Sequence, residues 1–104
     1  MYVLLSSLRE QATMLFTGCY KGNPHCVKAL LADSRVDVNQ ANKEGRTPLW
    51  RACWPGYTGC VKVLLSDSRT DVNQADNEGR SPLQIAAQRG HTECVRLLEA
   101  RASM

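Results

Sequence analysis

The sequence lacks most of the features that enzymes and membrane proteins require. No apolar run approaches the roughly 18 residues that a membrane span needs, so we expect no membrane association. There is no glycine-rich phosphate loop, paired carboxylate or nucleophile motif. Only two histidines are present, His25 and His91, and we expect structural roles for both. We therefore expect no enzymatic activity, no cofactor and no small-molecule substrate.

Strong charge and a targeting segment are also missing. The net charge of +3 permits an acidic partner but does not require nucleic acid, and we expect no nucleic-acid binding. Residues 1–7 are too short and lack the basic flank of a signal peptide. The length of 104 residues, with 43% hydrophobic and 22% charged residues, suits one globular domain. We expect a monomer in the cytoplasm, with the nucleus as the alternative.

What the sequence does contain is an internal repeat. Residues 39–49 recur as residues 73–83, 34 positions later, with eight of eleven residues identical. Residues 26–59 align with residues 60–93 without a gap and share 21 identities in 34 positions. A fixed period between about 20 and 50 residues is typical of a solenoid, in which similar units stack on one another.

Each period opens with a short helical pattern. Thr47-Pro48 and Ser81-Pro82 predict helix starts, because the hydroxyl can accept from an unpaired backbone N–H and proline suits the first helical position. We predict first helices over residues 48–54 and 82–89. Pro55-Gly56 ends one of them and Gly90 ends the other.

A second helical pattern and a loop complete the unit. The second helix is predicted to begin at Thr58 and at Thr92. Its apolar stripe consists of Cys60, Val61, Leu64 and Leu65 in one copy and of Cys94, Val95, Leu97 and Leu98 in the next. An extended stretch is predicted at residues 36–39 and 70–73, followed by a turn at Gly45 or Gly79. Helices this short need neighbours to be stable.

These units resemble the ankyrin repeat, which carries a Thr-Pro-Leu-His-x-Ala motif and an Asp-Val-Asn tail. The resemblance covers about residues 8–102 and implies an all-α ankyrin-repeat solenoid of about three helix-turn-helix repeats joined by protruding β-hairpin-like loops. The matching residues are Gly45-Arg46-Thr47-Pro48-Leu49, Ala52, Gly56 and Asp71-Val72-Asn73, and in the last copy Gly79-Arg80-Ser81-Pro82-Leu83, Ala86-Ala87 and Gly90-His91.

Two departures from the family pattern stand out. Ser34-Arg35 and Ser68-Arg69 replace the usual glycine with one extra residue, which accounts for the longer period. Trp50 and Gln84 stand where the pattern has histidine, so the family's Thr–His hydrogen bond is lost. We expect Trp50 to pack in place of that histidine, and we expect lower stability than in a consensus array.

The motifs also divide the chain. Residues 40–73 form the second repeat, residues 74–102 a truncated third repeat, and residues 13–39 a degenerate first repeat. In the first repeat, Asn23 as cap and Pro24 at the first position open a helix that continues over residues 25–31. Residues 1–12 have apolar residues at helical spacing, and they form either an N-terminal cap or the remnant of an earlier repeat.

The five cysteines recur at repeat positions and form no close metal-binding pairs. Cys26, Cys60 and Cys94 share one position on the apolar stripe, while Cys19 and Cys53 share another. Recurrence at core positions is the behaviour of a small apolar side chain, so we predict buried, reduced thiols. Without a Cys-x-x-Cys spacing, we expect no metal site.

Four recurrent polar residues have structural explanations. Asp37 and Asp71 stand beside a turn, and we expect them to hydrogen-bond within it. Asn39 and Asn73 match the asparagine of the family's Asp-Val-Asn tail, and we expect them to bond the loop backbone. The resemblance leaves modification by an asparaginyl hydroxylase as the alternative for these two residues.

The resemblance also implies where a partner protein binds, on the concave surface formed by the loop tips and the first helix of each repeat. Tryptophan, tyrosine and arginine are enriched among the residues that dominate binding energy. Carried over by position, the loop-tip candidates are Lys43, Glu44, Arg46, Asn77, Glu78 and Arg80, and the first-helix candidates are Tyr20, Lys21, Trp54, Gln88 and Arg89.

Some of these candidates have a plainer explanation beside the functional one. Trp54 either binds a partner or packs against the fold. Arg46 and Arg80 either bind or serve solubility on an exposed turn. Glu44 and Glu78 precede those arginines by two residues and either bind or pair with them.

The pattern as a whole predicts a protein–protein interaction module. The alternative is a structural fragment or truncated copy of a larger ankyrin-repeat protein, without binding activity of its own. The degenerate first repeat favours this alternative.

Overall fold

The computed structural model describes residues 22–102, which form five α-helices and no strand. The helices are α1 (Pro24–Leu31), α2 (Pro48–Cys53), α3 (Thr58–Leu65), α4 (Pro82–Gln88) and α5 (Thr92–Ala102). Helix α2 packs on α3, and α4 packs on α5. Helices α2 and α4 also contact each other, while α1, α3 and α5 pack side by side as a second layer. This stack has the all-α architecture that the repeat predicts.

The predicted caps open three of the helices. The Asn23 side chain accepts from the backbone N–H groups of His25 and Cys26, both at 3.1 Å. The Thr47 hydroxyl accepts from the N–H of Trp50 at 3.2 Å. Ser81 accepts from the N–H of Gln84 at 3.1 Å, and the Gln84 side chain accepts from the N–H of Ser81 at 2.9 Å. Proline follows each cap, as predicted, and Gln84 completes a capping box.

Both first helices end one residue earlier than predicted, because Trp54 and Arg89 are their C-terminal caps. The chain then turns through Gly56 and Gly90, which have φ of 80° and 79°. The N–H of Tyr57 donates to the carbonyl of Ala52 at 3.0 Å, which closes the end of α2 in a Schellman-type turn. Because glycine adopts positive φ without strain, these two residues allow the second helices to start at once.

Residues 38–39 and 72–73 form turns, and these turns interrupt the extended stretches predicted over residues 36–39 and 70–73. The Asp37 carboxylate accepts from the N–H of Asn39 at 3.0 Å, and Asp71 accepts from Asn73 at 2.9 Å. These local hydrogen bonds prevail because no neighbouring strand offers the backbone an alternative within the described residues. The turn-forming role predicted for both aspartates is confirmed.

The Asn39 side chain connects successive loops. Its Nδ2 donates to the carbonyl of Arg69 at 2.9 Å, and its Oδ1 accepts from the N–H of Asp71 at 2.7 Å. The structural role predicted for Asn39 is therefore confirmed. The equivalent Asn73 is exposed, and its side chain makes no hydrogen bond within residues 22–102.

The core lies between the two layers and combines the apolar stripe of the second helices with buried residues of the first helices. The fully buried members are Val27, Leu49, Trp50, Ala52, Cys53, Cys60, Val61 and Leu64, continued by Ile85, Ala86, Cys94 and Leu98. The stripe residues Leu65, Val95 and Leu97 are only half-buried at its margin. Stacking thus gives each short helix an apolar neighbour, which its own sequence cannot supply.

The cysteines behave largely as predicted. Cys53, Cys60 and Cys94 are buried, Cys26 is half-buried, and all four are free. Burial raises the pKa of the Cys53, Cys60 and Cys94 thiols, because the apolar surroundings disfavour the thiolate. Within residues 22–102 there is no group of three or more histidine, cysteine, aspartate or glutamate side chains that could hold a metal ion.

The two histidines have different environments. His91 Nε2 lies 2.8 Å from the carbonyl oxygen of Trp54, so His91 links α5 to the end of α2, as its predicted structural role requires. The His25 side chain is exposed and makes no hydrogen bond within the described residues, which corrects the structural role predicted for it. The reason is that His25 lies on the outer side of α1, opposite the buried Val27.

Some of the predictions fall outside the described part of the chain. These concern the segment 1–12, the start of the first repeat, Cys19, and the candidate binding residues Tyr20 and Lys21. None of the helices within residues 22–102 combines the length and apolar character needed to cross a membrane.

Candidate partner-binding surface

Two tryptophans and three arginines meet on the face formed by the turn loops and the first helices. Trp50 and Trp54 are four positions apart on one side of α2, and their rings pack edge to face at 5.0 Å with an interplanar angle of 66°. The Arg46 guanidinium lies 4.4 Å from the Trp50 ring centre and 4.8 Å from that of Trp54. Arg80 lies 5.5 Å from Trp50, and Arg89 lies 5.2 Å from Trp54. We call these five residues the arginine–tryptophan cluster.

Trp50 is the buried base of the cluster. Its side chain is fully buried, and its Nε1 donates to the carbonyl of Arg80 at 3.1 Å. The predicted packing role is therefore confirmed. The indole spans from one repeat to the loop of the next, and this contact is made at the position where the family pattern has histidine.

Trp54 is only half-buried, at the C-terminal cap of α2. It packs against the core, and the guanidinium groups of Arg46 and Arg89 each lie over its ring. The packing alternative is thus correct for part of the ring. Half-burial leaves the rest of the ring accessible beside two cations, which is the arrangement that binding would require.

The two loop arginines have different ionic environments. Arg80 pairs with the Asp76 carboxylate at 2.9 Å and with Glu78 at 3.0 Å, and its Nε donates to Asp76 at 3.1 Å. Arg46 occupies the equivalent loop position but forms no ion pair within residues 22–102. Its Nε is buried and lacks a hydrogen-bond partner.

The residue four positions earlier explains this difference. Asn42 stands where the next repeat has Asp76, and both Oδ1 atoms accept from the same two backbone N–H positions of their loops. These backbone donors determine the orientation of the Asn42 amide, so its other polar atom is Nδ2, a donor. That Nδ2 donates to the Glu44 carboxylate at 2.9 Å. A donor cannot receive the Arg46 guanidinium, so Arg46 lies against the tryptophan rings instead.

The buried Asp76 carboxylate is held in its ionised form. Burial alone raises its pKa, but the backbone N–H of Arg80, the Arg80 side chain and the N–H of Glu78 together lower it below the ordinary value. Asp76 therefore remains a permanent counter-charge for Arg80 at neutral pH. Arg46 has no carboxylate at the equivalent position of its own loop, because that position is Asn42.

The glutamates predicted to pair with the arginines differ for the same reason. Glu78 does pair with Arg80, as that alternative predicts. Glu44 does not pair with Arg46, because its carboxylate accepts from Asn42. The predicted Glu44–Arg46 pair is therefore wrong.

The loop-tip candidates Lys43, Glu44 and Asn77 connect adjacent loops through their backbones. The Asn77 N–H donates to the Glu44 carbonyl at 2.9 Å, and its Nδ2 donates to the Lys43 carbonyl at 2.8 Å. Gly45, with φ of 78°, allows this close approach, because a Cβ there would collide with the Asn77 side chain. The Asn77 Nδ2 is thus engaged within the fold, while the residue itself is exposed.

The structure thus brings Arg46, Trp54, Arg80 and Arg89 together and leaves other candidates apart. Gln88 is exposed at the end of α4, and its side chain has no hydrogen-bond partner among the described residues. The sequence alone did not identify Asn42 and Asp76 as important, although they determine whether the arginine of each loop is paired with a carboxylate. Their difference is visible in the alignment of the two repeats, but its consequence depends on where the arginine side chain lies.

Comparison with known families is consistent with this architecture. A family model described as ankyrin repeats (3 copies) matches residues 3–76. A second model, described as ankyrin repeats (many copies), matches residues 55–99. No curated protein matches the chain.

Proposed function

This chain belongs to the ankyrin repeat family, and from that premise we propose that it is a protein–protein interaction module. The partner binds on the face made by the turn loops and the first helices. Ankyrin repeats are generally modules of this kind, but a shared fold does not identify a partner. The proposal therefore depends on what this chain places on that face.

The arginine–tryptophan cluster is the observation that carries the proposal. Trp54 is a large, half-exposed aromatic ring, and two arginine guanidinium groups lie within about 5 Å of its centre. Arginine and tryptophan are the residue types most enriched at binding hot spots. Arg89 and Trp54 are not shared by the equivalent repeat positions, where Pro55 and Gln88 stand, so the repeat fold itself does not require them.

The setting of this activity follows from the chemistry of the chain. We place the module in the cytoplasm, with the nucleus as the alternative, because the four described cysteines are free and three of them are buried as thiols. We propose that it acts as a monomer with the repeat divisions 13–39, 40–73 and 74–102. We assign it no catalytic reaction and no cofactor.

A capture experiment with matched variants tests the proposal. The immobilised wild type is incubated with cell lysate beside an Arg46→Ala/Trp54→Ala/Arg89→Ala variant, and retained proteins are identified by mass spectrometry. The control variant, Lys62→Ala/Arg96→Ala, removes two exposed charges from α3 and α5. Circular dichroism establishes that each chain is folded.

The outcomes separate the candidates. A protein retained by the wild type and the control but lost by the cluster variant supports binding through this face. Equal retention by all three chains moves the site to another surface. If no protein is retained specifically, the chain behaves as the structural fragment that is the alternative function.

A further inference from the structure

The charges on the loop–helix face are unevenly distributed. At the loop tips, Glu78 is paired with Arg80, and Glu44 is held by Asn42. Arg80 is further neutralised by the buried Asp76. The carboxylates of this face are therefore concentrated at the loops.

The cationic charge is concentrated around Trp54. Arg46 and Arg89 both lie against its ring, and neither forms an ion pair with another described residue. The buried Nε of Arg46 has no hydrogen-bond partner, although the corresponding atom of Arg80 donates to Asp76 at 3.1 Å. Each of these arginines thus keeps hydrogen-bonding capacity that the fold does not use.

We propose that this part of the surface recognises an acidic peptide segment of the partner protein, with a glutamate or aspartate side chain bound by Arg46 and Arg89 beside Trp54. This inference rests on the proposed function and specifies its partner class. The planar guanidinium groups can bind a carboxylate through two parallel hydrogen bonds. The indole ring provides apolar surface for the methylene groups of the same side chain.

A peptide fits this surface better than a nucleic acid does. A nucleic acid presents a continuous row of phosphates and is bound by a continuous row of cations. Here the cations around Trp54 are bordered by Glu44 and Glu78 at the exposed loop tips, which would repel a phosphate backbone.

The exchange of Asn42 for Asp76 between repeats is what leaves Arg46 available. Asn42 supplies the two backbone hydrogen bonds of the turn but not the carboxylate that would bind the guanidinium. Asp76, its counterpart in the next repeat, supplies both the hydrogen-bond acceptor for the turn and the carboxylate that binds the guanidinium. The substitution Asn42→Asp therefore tests the proposal without removing any residue of the cluster. We expect the loop to accommodate an aspartate at position 42, because the next loop already contains Asp76 at the equivalent position.

The probes are two degenerate decapeptide libraries that differ only in a central Glu-x-Glu or Gln-x-Gln, and the retained amount of each is measured on immobilised protein. For the wild type we expect the acidic library to be retained about fivefold better, a ratio at the upper end of what one exposed charge-assisted contact supplies. Asn42→Asp and Arg89→Gln reduce this ratio towards one, whereas Lys62→Gln leaves it unchanged.

Other outcomes overturn the inference. Equal retention of both libraries by the wild type, or an undiminished preference in Asn42→Asp, excludes an acidic segment held by Arg46. Retention of a single-stranded oligonucleotide in place of the acidic library would assign the face to nucleic acid. If the partner captured from lysate depends on the cluster but is not displaced by the acidic library, the proposed interaction function stands and only the acidic specificity fails.

Discussion

Arg69 and Arg101 perform the same structural task in consecutive repeats, although they do not occupy equivalent sequence positions. An Arg69 Nη donates to the Leu31 carbonyl at 2.8 Å, and an Arg101 Nη donates to the Leu65 carbonyl at 2.7 Å. Leu31 and Leu65 are equivalent, and each lies at the end of a second helix. A cation at this end satisfies carbonyls that have no partner inside the helix and complements the helix dipole.

The role of Arg101 can be tested by truncation. Arg101 also donates to the Thr70 carbonyl at 3.0 Å, so Arg101→Ala leaves two partly buried carbonyls without that partner. We expect the free energy of unfolding to fall by about 1.5–3 kcal/mol, as for hydrogen bonds to charged groups. Urea denaturation followed by circular dichroism measures the change.

Arg96→Ala, which breaks only the exposed pair with Glu93 on the same helix, is expected to change stability by less than about 1 kcal/mol. Equal losses in the two variants would contradict the capping role.

Asn39 and Asn73 form a matched pair for the connection between loops. Asn39→Ala removes hydrogen bonds to Arg69 and Asp71, and we expect it to lower the free energy of unfolding by about 1–2 kcal/mol. Asn73→Ala removes no side-chain hydrogen bond within the described residues, and we expect a change within about 0.5 kcal/mol. Chemical denaturation of both variants measures the difference. A larger loss for Asn73→Ala would show that the loops are joined in another way.

Trp50 and Trp54 allow a similar comparison within the cluster. Trp50→Phe removes the indole N–H that donates to Arg80 and leaves space in the core. The expected loss in unfolding free energy is about 1–3 kcal/mol. Trp54→Phe changes a half-exposed ring and is expected to cost less than about 1 kcal/mol. Denaturation curves for the two variants measure both losses in unfolding free energy. Comparable losses would place Trp54 in the core.

Stability is expected to fall in acid because of Asp67. Hydrogen bonds from the Arg69 side chain, at 2.6 and 2.9 Å, hold the pKa of Asp67 below its ordinary value of 3.8. A carboxylate whose pKa is lowered on folding stabilises the fold above its unfolded-state pKa, and this contribution is lost as the pH falls through the lowered value. The difference in unfolding free energy between wild type and Asp67→Asn should therefore shrink as the pH falls below about 4. A difference that stays constant from neutral pH to strong acid would show that the Asp67 pKa is not lowered.

The buried thiols are expected to resist alkylation. Burial raises the pKa of Cys53, Cys60 and Cys94, and it also shields their sulfur atoms from a reagent. With iodoacetamide near pH 8, we expect these three to react at least about tenfold more slowly in the folded chain than in denaturant. Mass spectrometry of proteolytic peptides gives the rate at each residue, with the half-buried Cys26 as the internal comparison. Rapid labelling of Cys53 in the folded protein would contradict its place in the core.

A fair part of the fold could be predicted because it depends on contacts between neighbours in sequence. The caps at Asn23, Thr47 and Ser81 need only a side-chain oxygen and a backbone N–H two or three residues away. The aspartate turns at Asp37 and Asp71 are equally local, and they override the extended conformation predicted for the same stretches. The resemblance to the ankyrin family predicted in addition that these units stack on one another.

The candidate surface was predicted less well. The sequence identified Arg46, Trp54, Arg80 and Arg89 as candidates, but not that they meet around two indole rings. The pairing of Glu44 with Arg46 was a reasonable expectation from spacing alone. It is wrong because the Asn42 amide competes for Glu44, and this competition depends on the orientation of three side chains in one turn.

The helix starts, the local turns and the apolar stripe depend on residue type and spacing within a few positions, and the repeat is visible directly as the recurrence of similar residues along the chain. Which arginine closes each helix and how Trp50 reaches the loop of the next repeat depend on the stacked fold. These contacts join residues 30 to 38 positions apart. They form only once stacking has brought successive repeats within reach of a long side chain, so the repeat pattern alone does not specify them.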